Sequence, residues 1–375
     1  MDEASTNVVS KGPVGFVGRI PVRNLWLLML YASNLVRYLK DNRHSVEESP
    51  DELPDLIAEL LSAAVHRRLR RNLTLGYRQS RTILSRIRGR VDILGTERKL
   101  LLARGRLECV FDELVYDTPR NRYILAALLK LSGNVQSTQL GGRCRTLATI
   151  MRRMGVSSEK PSREHLSLNQ YGRHDAEDRR LMELSALAFE LALPTEEAGF
   201  RDLPSPLKEK EYVQKLYEKA VAGFYRNYLL HTQWNVMAGR TFGWNWTERS
   251  QGIEKILPIM KTDIEIINPS SQQHIIIDTK FTEIVEKGRF NEARLKSKHI
   301  YQIYAYIRSK ELQGDPMSMN STGILLYPSI GTTIDESVVI QGHRFRYATL
   351  DLAASPVSIR QQLITLFDTS TPPSP

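Results

Sequence analysis

Two apolar segments joined by a short, turn-rich link constrain the fold of this chain most strongly. The segments are Met260–Ile267 and His274–Phe281, and the link between them reads Asn-Pro-Ser-Ser-Gln-Gln. Apolar runs of this length that end at turn residues are typical of β-strands, and a short link favours antiparallel pairing. The sequence therefore predicts a β-hairpin in this region.

Helical and extended patterns alternate around the hairpin. Helices are predicted over Glu209–Leu230, over Asn291–Lys310 and from Ser355 to Phe367. Further strands are predicted over Thr322–Tyr327 and, one or two of them, over Ser337–Leu352. Strands flanked by helices indicate an α/β domain with a central mixed sheet.

The chain of 375 residues is long enough for two or three domains. Residues 1–18 are rich in small residues and are expected to form a flexible arm, and residues 370–375 a polar, proline-rich tail. Prolines and a glycine between Pro194 and Pro206 mark a domain boundary. We therefore expect an N-terminal domain over 19–200 and a C-terminal domain over 201–369.

The N-terminal domain is predicted to be α+β. Its helices are expected near 21–40, 53–72, 117–131 and 175–192, with a loop over 155–172. Apolar and polar residues alternate over part of residues 73–106, and glycines interrupt the pattern. This indicates a small β-rich finger of short strands and turns.

Positive charge is concentrated in and just before this finger. The chain carries a net charge of +10, and residues 67–106 alone hold thirteen Arg or Lys against Asp92 and Glu97. A local excess of this size favours a polyanionic partner. The arginines that we consider for contact with a partner or DNA are Arg78, Arg81, Arg86, Arg88 and Arg90.

Several function classes are disfavoured by what the sequence lacks. Cys109 and Cys144 cannot build a disulfide framework, which fits a reducing cytoplasm. The apolar run Leu25–Ala32 is too short to span a membrane. The chain has no G-x-x-x-x-G-K-S/T sequence, so we expect it to bind no nucleotide itself. It has neither a Ser-His-Asp hydrolase elbow nor a His-Glu-x-x-His zinc helix.

The hairpin carries the residues best suited to chemistry. Asp278 and Lys280 project to the same side of a strand because they are two residues apart. Asp263 lies on the preceding strand, so two carboxylates and one ammonium can converge. Carboxylate oxygens are ligands that Mg²⁺ prefers, and a lysine beside the metal can offset charge on a phosphate. This set therefore predicts Mg²⁺-dependent phosphodiester hydrolysis.

A structural explanation of the same residues stays open. Asp278 and Lys280 could form only a salt bridge on an edge strand. A second acidic-x-Lys triplet, Glu97-Arg98-Lys99, has no apolar strand leading into it and is disfavoured. Three further side chains could assist the site or could belong to ordinary helix surfaces: Glu218, Gln302 and Tyr306.

Several motifs occur in an order that resembles a known family. They are Ile20-Pro-Val-Arg-Asn-Leu-Trp-Leu-Leu-Met-Leu-Tyr-Ala-Ser33, Arg88-Gly-Arg-Val91, Phe111-Asp-Glu-Leu-Val-Tyr-Asp-Thr-Pro-Arg-Asn-Arg122, Met260-Lys-Thr-Asp-Ile-Glu-Ile266, Ile276-Ile-Asp-Thr-Lys280, Tyr301-Gln302 and Leu325-Leu-Tyr-Pro328. On these residues, roughly Ile20 to Phe367, the chain resembles McrC, the nuclease subunit of modified-cytosine restriction systems.

The resemblance implies a PD-(D/E)xK nuclease domain in which Asp263, Asp278 and Lys280 occupy the catalytic positions. Thr262 stands where the family pattern has proline, a variation that leaves the carboxylate of Asp263 in place. Glu218 falls on a helix position where related nucleases often carry Glu, although McrC-like chains vary there. The resemblance also implies that the N-terminal part inserts a finger, here residues 73–106, into a hexameric AAA+ GTPase called McrB and stimulates its hydrolysis.

Three functional hypotheses remain open at this point. The first is a Mg²⁺-dependent endonuclease subunit that cuts double-stranded DNA when it is assembled on an McrB-like GTPase. The second is a non-catalytic adaptor that activates the GTPase or clamps DNA. The third is a stand-alone DNA repair nuclease, which would cleave with metal and without GTP or partner. Loss of cleavage on replacing Asp278 separates the first and third from the second.

Overall fold

The computed structural model describes residues 20–33, 52–159, 161, 176–191, 194–195, 199–200, 206–287, 293–330, 333–368 and 370. These residues form two compact units. The sheet unit comprises Met1–Leu53 together with Leu193–Pro375, and the middle unit comprises Pro54–Ala192. The arm predicted over residues 1–18 lies outside the described residues.

The helices and strands are numbered in chain order. The helices are α1 (Val22–Ala32), α2 (Leu53–Arg70), α3 (Ile93–Arg98), α4 (Pro119–Leu131), α5 (Thr138–Arg153), α6 (Ala176–Leu191), α7 (Pro206–Tyr228), α8 (Ser297–Lys310), α9 (Pro316–Met319) and α10 (Pro356–Asp368). The strands are β1 (Gly76–Leu84), β2 (Arg90–Val91), β3 (Leu107–Val115), β4 (Pro194–Thr195), β5 (Gly199–Phe200), β6 (Asn235–Ala238), β7 (Thr241–Phe242), β8 (Met260–Lys261), β9 (Ile264–Asn268), β10 (Gln273–Thr279), β11 (Val285–Lys287), β12 (Ala293–Leu295), β13 (Thr322–Ser329), β14 (Asp335–Ile340) and β15 (His343–Asp351).

The centre of the sheet unit is a six-stranded mixed sheet with the strand order β14-β15-β13-β10-β9-β6. The predicted hairpin is confirmed: β9 and β10 pair antiparallel, with Ile264 opposite Ile277 and Asn268 opposite Gln273. Strand β10 then pairs parallel with β13, and β13 pairs parallel with β15. Because β10 is an interior strand, its side chains are almost all buried.

Helices cover both faces of this sheet, as predicted for the α/β class. On one face, Ile303 and Ile307 of α8 pack in a buried cluster with Ile276, Leu325 and other apolar side chains of the sheet. On the opposite face Arg346 of β15 donates a hydrogen bond to the Leu366 carbonyl of α10. Helix α7 packs on α10, where the Tyr225 hydroxyl donates to the Leu363 carbonyl at 2.9 Å. The sheet is therefore the middle layer of the unit.

The N-terminal helix α1 belongs to the sheet unit, which differs from the predicted N-terminal domain over 19–200. It packs on α7, where Tyr31 makes an edge-to-face ring contact with Phe224. Gly223 allows this approach, because a Cβ at that position would lie 1.9 Å from the Tyr31 carbonyl oxygen. Asn24 fixes the helix further by donating to the carbonyl oxygens of Leu352 and Ala354. An apolar helix pattern alone does not reveal which distant element will cover it.

The middle unit contains the basic segment. Strand β1 pairs antiparallel with β3 from Gly76–Val115 to Leu84–Leu107, and β2 pairs with the other edge of β3. The long partner strand β3 lies beyond the predicted finger of 73–106, and α3 forms a helix where strands were expected. Asp92 explains the helix, because its carboxylate caps α3 by accepting a hydrogen bond from Gly95 N.

Other boundaries differ from prediction in smaller ways. The helix expected from Asn291 begins at Ser297, after the short strand β12. The helix α5 was not predicted at all. Ser370, expected in a polar tail, is buried and its hydroxyl accepts a hydrogen bond from Arg346 at 2.8 Å. None of the helices in the described part of the chain has the length and apolar character needed to cross a membrane.

Candidate active site

Asp278 and Lys280 lie at the carboxyl end of β10. The side chain of Asp278 is fully buried, and Lys280 Nζ lies 2.5 Å from its Oδ2 oxygen. Lys280 N donates to the Leu326 carbonyl, which extends the parallel pairing with β13 beyond Thr279. The two side chains thus meet as their spacing predicts. Because β10 is an interior strand, this pair is not a salt bridge on an edge strand.

Asp263 reaches the same place from a two-residue break between β8 and β9, and not from within a strand. Its backbone is held there because Gly239 N donates to its carbonyl oxygen at 2.9 Å. Its Oδ2 accepts hydrogen bonds from Thr279 N at 2.8 Å and from Thr279 Oγ1 at 2.9 Å. The carboxylate of Asp263 is therefore hydrogen-bonded to Thr279, the residue between Asp278 and Lys280.

The environment of Asp278 disfavours its charged form. The pKa of Asp278 is raised to about 6, chiefly by burial; Lys280 opposes this rise, and the negative charges of Asp263 and Glu218 contribute to it. Its Oδ1 oxygen is buried and accepts no hydrogen bond from the described residues. A buried carboxylate oxygen without a partner is costly, and a bound cation would satisfy it.

The donor set fits a hard divalent cation. Mg²⁺ is often held in proteins by only one or two carboxylates, because it retains several of its waters. Asp263 and Asp278 supply two carboxylates at one end of the sheet. No cluster of three or more His, Cys, Asp or Glu side chains with metal-binding geometry occurs among the described residues. A structural zinc site takes four protein ligands, mostly Cys and His, whereas Mg²⁺ can be held by two carboxylates.

Glu218 lies on α7 and is half-buried. Burial raises its pKa, and the next largest cause is the negative charge of Asp263. The charges of Glu218 and Asp263 therefore repel each other, and the auxiliary role of Glu218 stays a prediction.

Gln302 and Tyr306 lie on α8 and contact each other, with Gln302 Nε2 donating to the Tyr306 hydroxyl at 2.6 Å. Burial raises the pKa of Tyr306, the hydrogen bond from Gln302 opposes that shift, and the charges of Asp278 and Asp263 add to it. The phenol of Tyr306 therefore lies within the electrostatic reach of both carboxylates.

Two further buried groups lie in this region: His299, on the same helix face as Gln302 and Tyr306, and Glu265, which sequence reasoning missed. His299 is buried and its Nδ1 lies 3.0 Å from the Tyr327 hydroxyl. Burial lowers the pKa of His299 to about 4, assisted by the positive charge of Lys280, so the imidazole is neutral at pH 7. Glu265 of β9 is also fully buried and bonds to Lys310. The position of Glu265 inside an apolar strand is the sequence feature that could have identified it.

The finger arginines occupy different environments. Arg81 pairs with Asp92 at 2.5 Å, Arg88 stacks over the Phe111 ring at 4.0 Å, and Arg78 lies 3.8 Å from Asp117. Arg86 and Arg90 are exposed and form no ion pair with any described residue. The disfavoured Glu97-Arg98-Lys99 triplet lies in the middle unit, where Lys99 pairs with Glu108 at 2.7 Å.

Comparison with known proteins gives a family and a relative of similar length. Residues 3–328 match the family described as "McrBC 5-methylcytosine restriction system component". The chain is 27% identical over 354 residues to the Escherichia coli K12 protein described as "Type IV methyl-directed restriction enzyme EcoKMcrBC". That alignment covers 93% of this chain and 97% of the relative.

Two solved structures are also similar, both from Thermococcus gammatolerans. One is a half-complex from a tetradecameric assembly of McrB AAA+ hexamers with bound McrC, matched at 15% identity over 84% of this chain and 68% of the other, with a TM-score of 0.40. The other is the McrBC complex, matched at 20% identity over 56% and 58% of the two chains, with a TM-score of 0.35.

Proposed function

Since the chain belongs to the McrBC family of 5-methylcytosine restriction system components, we propose that it is the Mg²⁺-dependent, DNA-cleaving subunit of a modification-dependent restriction complex. The observation that carries this proposal is the meeting of Asp263, Asp278 and Lys280 at the end of β10. Two carboxylates can hold a divalent cation, and an adjacent ammonium can offset the negative charge that builds on the phosphate during cleavage.

The order of elements supports a PD-(D/E)xK nuclease domain. Helix α7 precedes three antiparallel strands, β6, β9 and β10, which are followed by α8 and the parallel strand β13. Asp263 precedes the second of these strands and the Asp278-Thr279-Lys280 triplet ends the third. The element order and the residue positions thus agree with the type that the sequence motifs imply.

Each residue of the site has a distinct role in this proposal. Asp263 and Asp278 would hold Mg²⁺, which when bound polarises the phosphate and lowers the pKa of the attacking water. Lys280 places a positive charge beside the oxygens on which negative charge builds. The remaining polar side chains, Glu218, Gln302 and Tyr306, are auxiliary and orient water or phosphate at the border of the site.

The partner in this proposal is an McrB-like hexameric AAA+ GTPase, and the substrate is methylated double-stranded DNA. The support comes from the family description and from relatives whose descriptions name a methyl-directed enzyme and McrB hexamers. The cytoplasm is the proposed location, in agreement with two cysteines that are both free and buried. GTP binding is assigned to the partner and not to this chain.

A reconstitution experiment tests the proposal. We expect the chain, combined with its AAA+ partner, GTP, Mg²⁺ and DNA containing 5-methylcytosine, to cleave both strands. Omission of the partner, or excess EDTA, is expected to abolish cleavage, whereas Ca²⁺ in place of Mg²⁺ supports binding only. Cleavage that is unaffected by EDTA contradicts the metal site, and cleavage without partner and GTP favours a stand-alone repair nuclease.

The exposed finger arginines provide a second prediction. Arg86→Gln combined with Arg90→Gln is expected to raise the concentration of chain that half-maximally stimulates the partner's GTP hydrolysis by about tenfold, since interface arginines are often energetic hot spots. Arg67→Gln with Arg70→Gln on α2 removes the same charge outside the finger and serves as the control. Unchanged stimulation by the finger variant removes these two arginines from the interface.

A further inference from the structure

A second basic surface lies in the middle unit, outside the finger. Residues 118–158 contain no Asp or Glu. The same 41 residues contain seven basic side chains: Arg120, Arg122, Lys130, Arg143, Arg145, Arg152 and Arg153. Four of the seven belong to α5, so the charge is concentrated on one helix.

Helix α5 separates this charge from its apolar residues. Its buried side consists of Gly141, Cys144, Leu147, Ala148 and Met151. Its exposed residues include Arg143, Arg145, Thr146, Thr149, Ile150, Arg152 and Arg153. The helix thus presents arginine and threonine side chains to solvent along most of its length. Both residue types commonly bind nucleic-acid phosphates.

The α5 arginines differ from Arg120 and Arg122, which pair with Asp178 and Asp117. Arg143, Arg145 and Arg153 form no ion pair with any described residue, and Arg152 donates only to the Ser158 hydroxyl at 2.7 Å. This contrasts with the same unit elsewhere, where Arg68 pairs with Asp178 and other arginines are similarly neutralised. A cluster of arginines whose charge no carboxylate neutralises attracts an external polyanion.

The spacing of the outer arginines fits a duplex. Arg143 and Arg153 are ten residues apart, which is about 15 Å along a helix. The major groove of B-DNA is about 12 Å wide, so side chains of arginine length at both ends of α5 can reach phosphates on either side of the groove.

We propose that the exposed face of α5 binds the phosphate backbone of double-stranded DNA without reading its sequence. This rests on the proposed function, because a chain that cleaves DNA must hold a polyanionic duplex. The surface supplies contacts in addition to those at the end of β10. Its binding is therefore electrostatic and depends on salt concentration.

The test uses the full chain, a fluorescent 30-base-pair duplex, and EDTA to prevent cleavage. We expect Arg143→Gln combined with Arg153→Gln to weaken binding about tenfold at 0.1 M salt. The slope of log K against log salt concentration should fall by about 1.8, because each phosphate contact contributes about 0.9. Both positions are exposed, so the variant should keep its thermal unfolding midpoint.

The matched control removes two positive charges that already have protein partners. Arg71 pairs with Glu177 and Arg308 with Glu311, so Arg71→Gln with Arg308→Gln lowers the net charge equally. The control should bind DNA like the wild type. Equal weakening by the control shows an effect of net charge alone and overturns the proposal, as does wild-type affinity of the α5 variant.

Two further outcomes keep this inference separate from the proposed function. If the α5 variant binds DNA normally but fails to co-elute with the AAA+ partner, the surface docks an acidic protein and the DNA proposal is wrong. If an Asp278 variant still cleaves DNA, the nuclease assignment fails. The result for α5 then still stands, because binding of the fluorescent duplex in EDTA is measured without catalysis.

Discussion

Asp278→Asn is expected to reduce DNA cleavage by the reconstituted complex at least about 1,000-fold. The amide keeps the size of the side chain but removes the negative charge on which a divalent cation depends. Stimulation of the partner's GTP hydrolysis should remain unchanged, because the substitution is buried in the sheet unit. Initial cleavage rates and GTP hydrolysis in the same mixtures provide the measurement.

The same substitution is expected to stabilise the metal-free chain. The pKa of Asp278 is raised from 3.8 to about 6, so the folded state holds an unfavourable charge at pH 7. This penalty is absent below pH 4, grows between pH 4 and 6, and is constant above that range. Asp278→Asn should therefore increase the free energy of unfolding at pH 7 by about 1 to 3 kcal/mol, and by much less at pH 4.

Glu336→Gln is the matched control for both measurements. Glu336 is an exposed carboxylate on the edge strand β14, and its replacement should alter neither cleavage nor stability. Wild-type cleavage by Asp278→Asn contradicts the nuclease assignment and supports an adaptor. Loss of stability at pH 7 would show instead that Asp278 is a structural partner of Lys280.

The site was predictable from sequence to the extent that it depends on local geometry. Asp278 and Lys280 share a face because strands alternate, and Asp263 is brought close by a hairpin with a short link. The exact position of Asp263, in a break between β8 and β9, depends on Gly239 and Thr279, which are distant in sequence. Hydrogen bonds of this kind have no local pattern.

Helix α5 shows why another part of the fold was missed. Gly141 and Gly142 weaken its helical pattern, because glycine is a poor helix former. Gly141 nevertheless sits in a tightly packed place, since a Cβ there would lie 3.2 Å from the Ser132 carbonyl oxygen. The apolar face becomes evident only when α4 is known to pack on it.

Glu265, the other buried carboxylate of the hairpin, has the opposite electrostatic environment from Asp278. Lys310 Nζ lies 2.8 Å from its Oε1, and Thr262 Oγ1 donates to the same oxygen at 2.6 Å. His274 Nε2 lies 3.5 Å from its Oε2. Burial alone would raise the pKa of Glu265, but the bonds from His274, Lys310 and Thr262 outweigh it and hold the pKa at about 2.

This pKa makes Glu265 a stabilising residue. Its value lies below the ordinary 4.5, so the charged group contributes stability that is present above pH 4.5 and is lost as the pH falls toward 2. A shift of this size corresponds to about 3 kcal/mol. Its oxygens are occupied by Lys310 and Thr262, which leaves it unsuited to bind a metal.

Glu265→Gln is therefore expected to lower the free energy of unfolding at pH 7 by about 3 kcal/mol, because Lys310 would lose its buried partner. Urea unfolding at pH 7 and at pH 3 measures the effect. The difference in the free energy of unfolding between the variant and the wild type should be smaller at pH 3. The folded fraction should still require Mg²⁺ for cleavage. A normal unfolding midpoint, or a lost metal requirement, would contradict the structural role. The hairpin thus holds two buried acids in opposite environments: Glu265 stabilises the fold at pH 7, whereas the charge of Asp278 destabilises the metal-free chain.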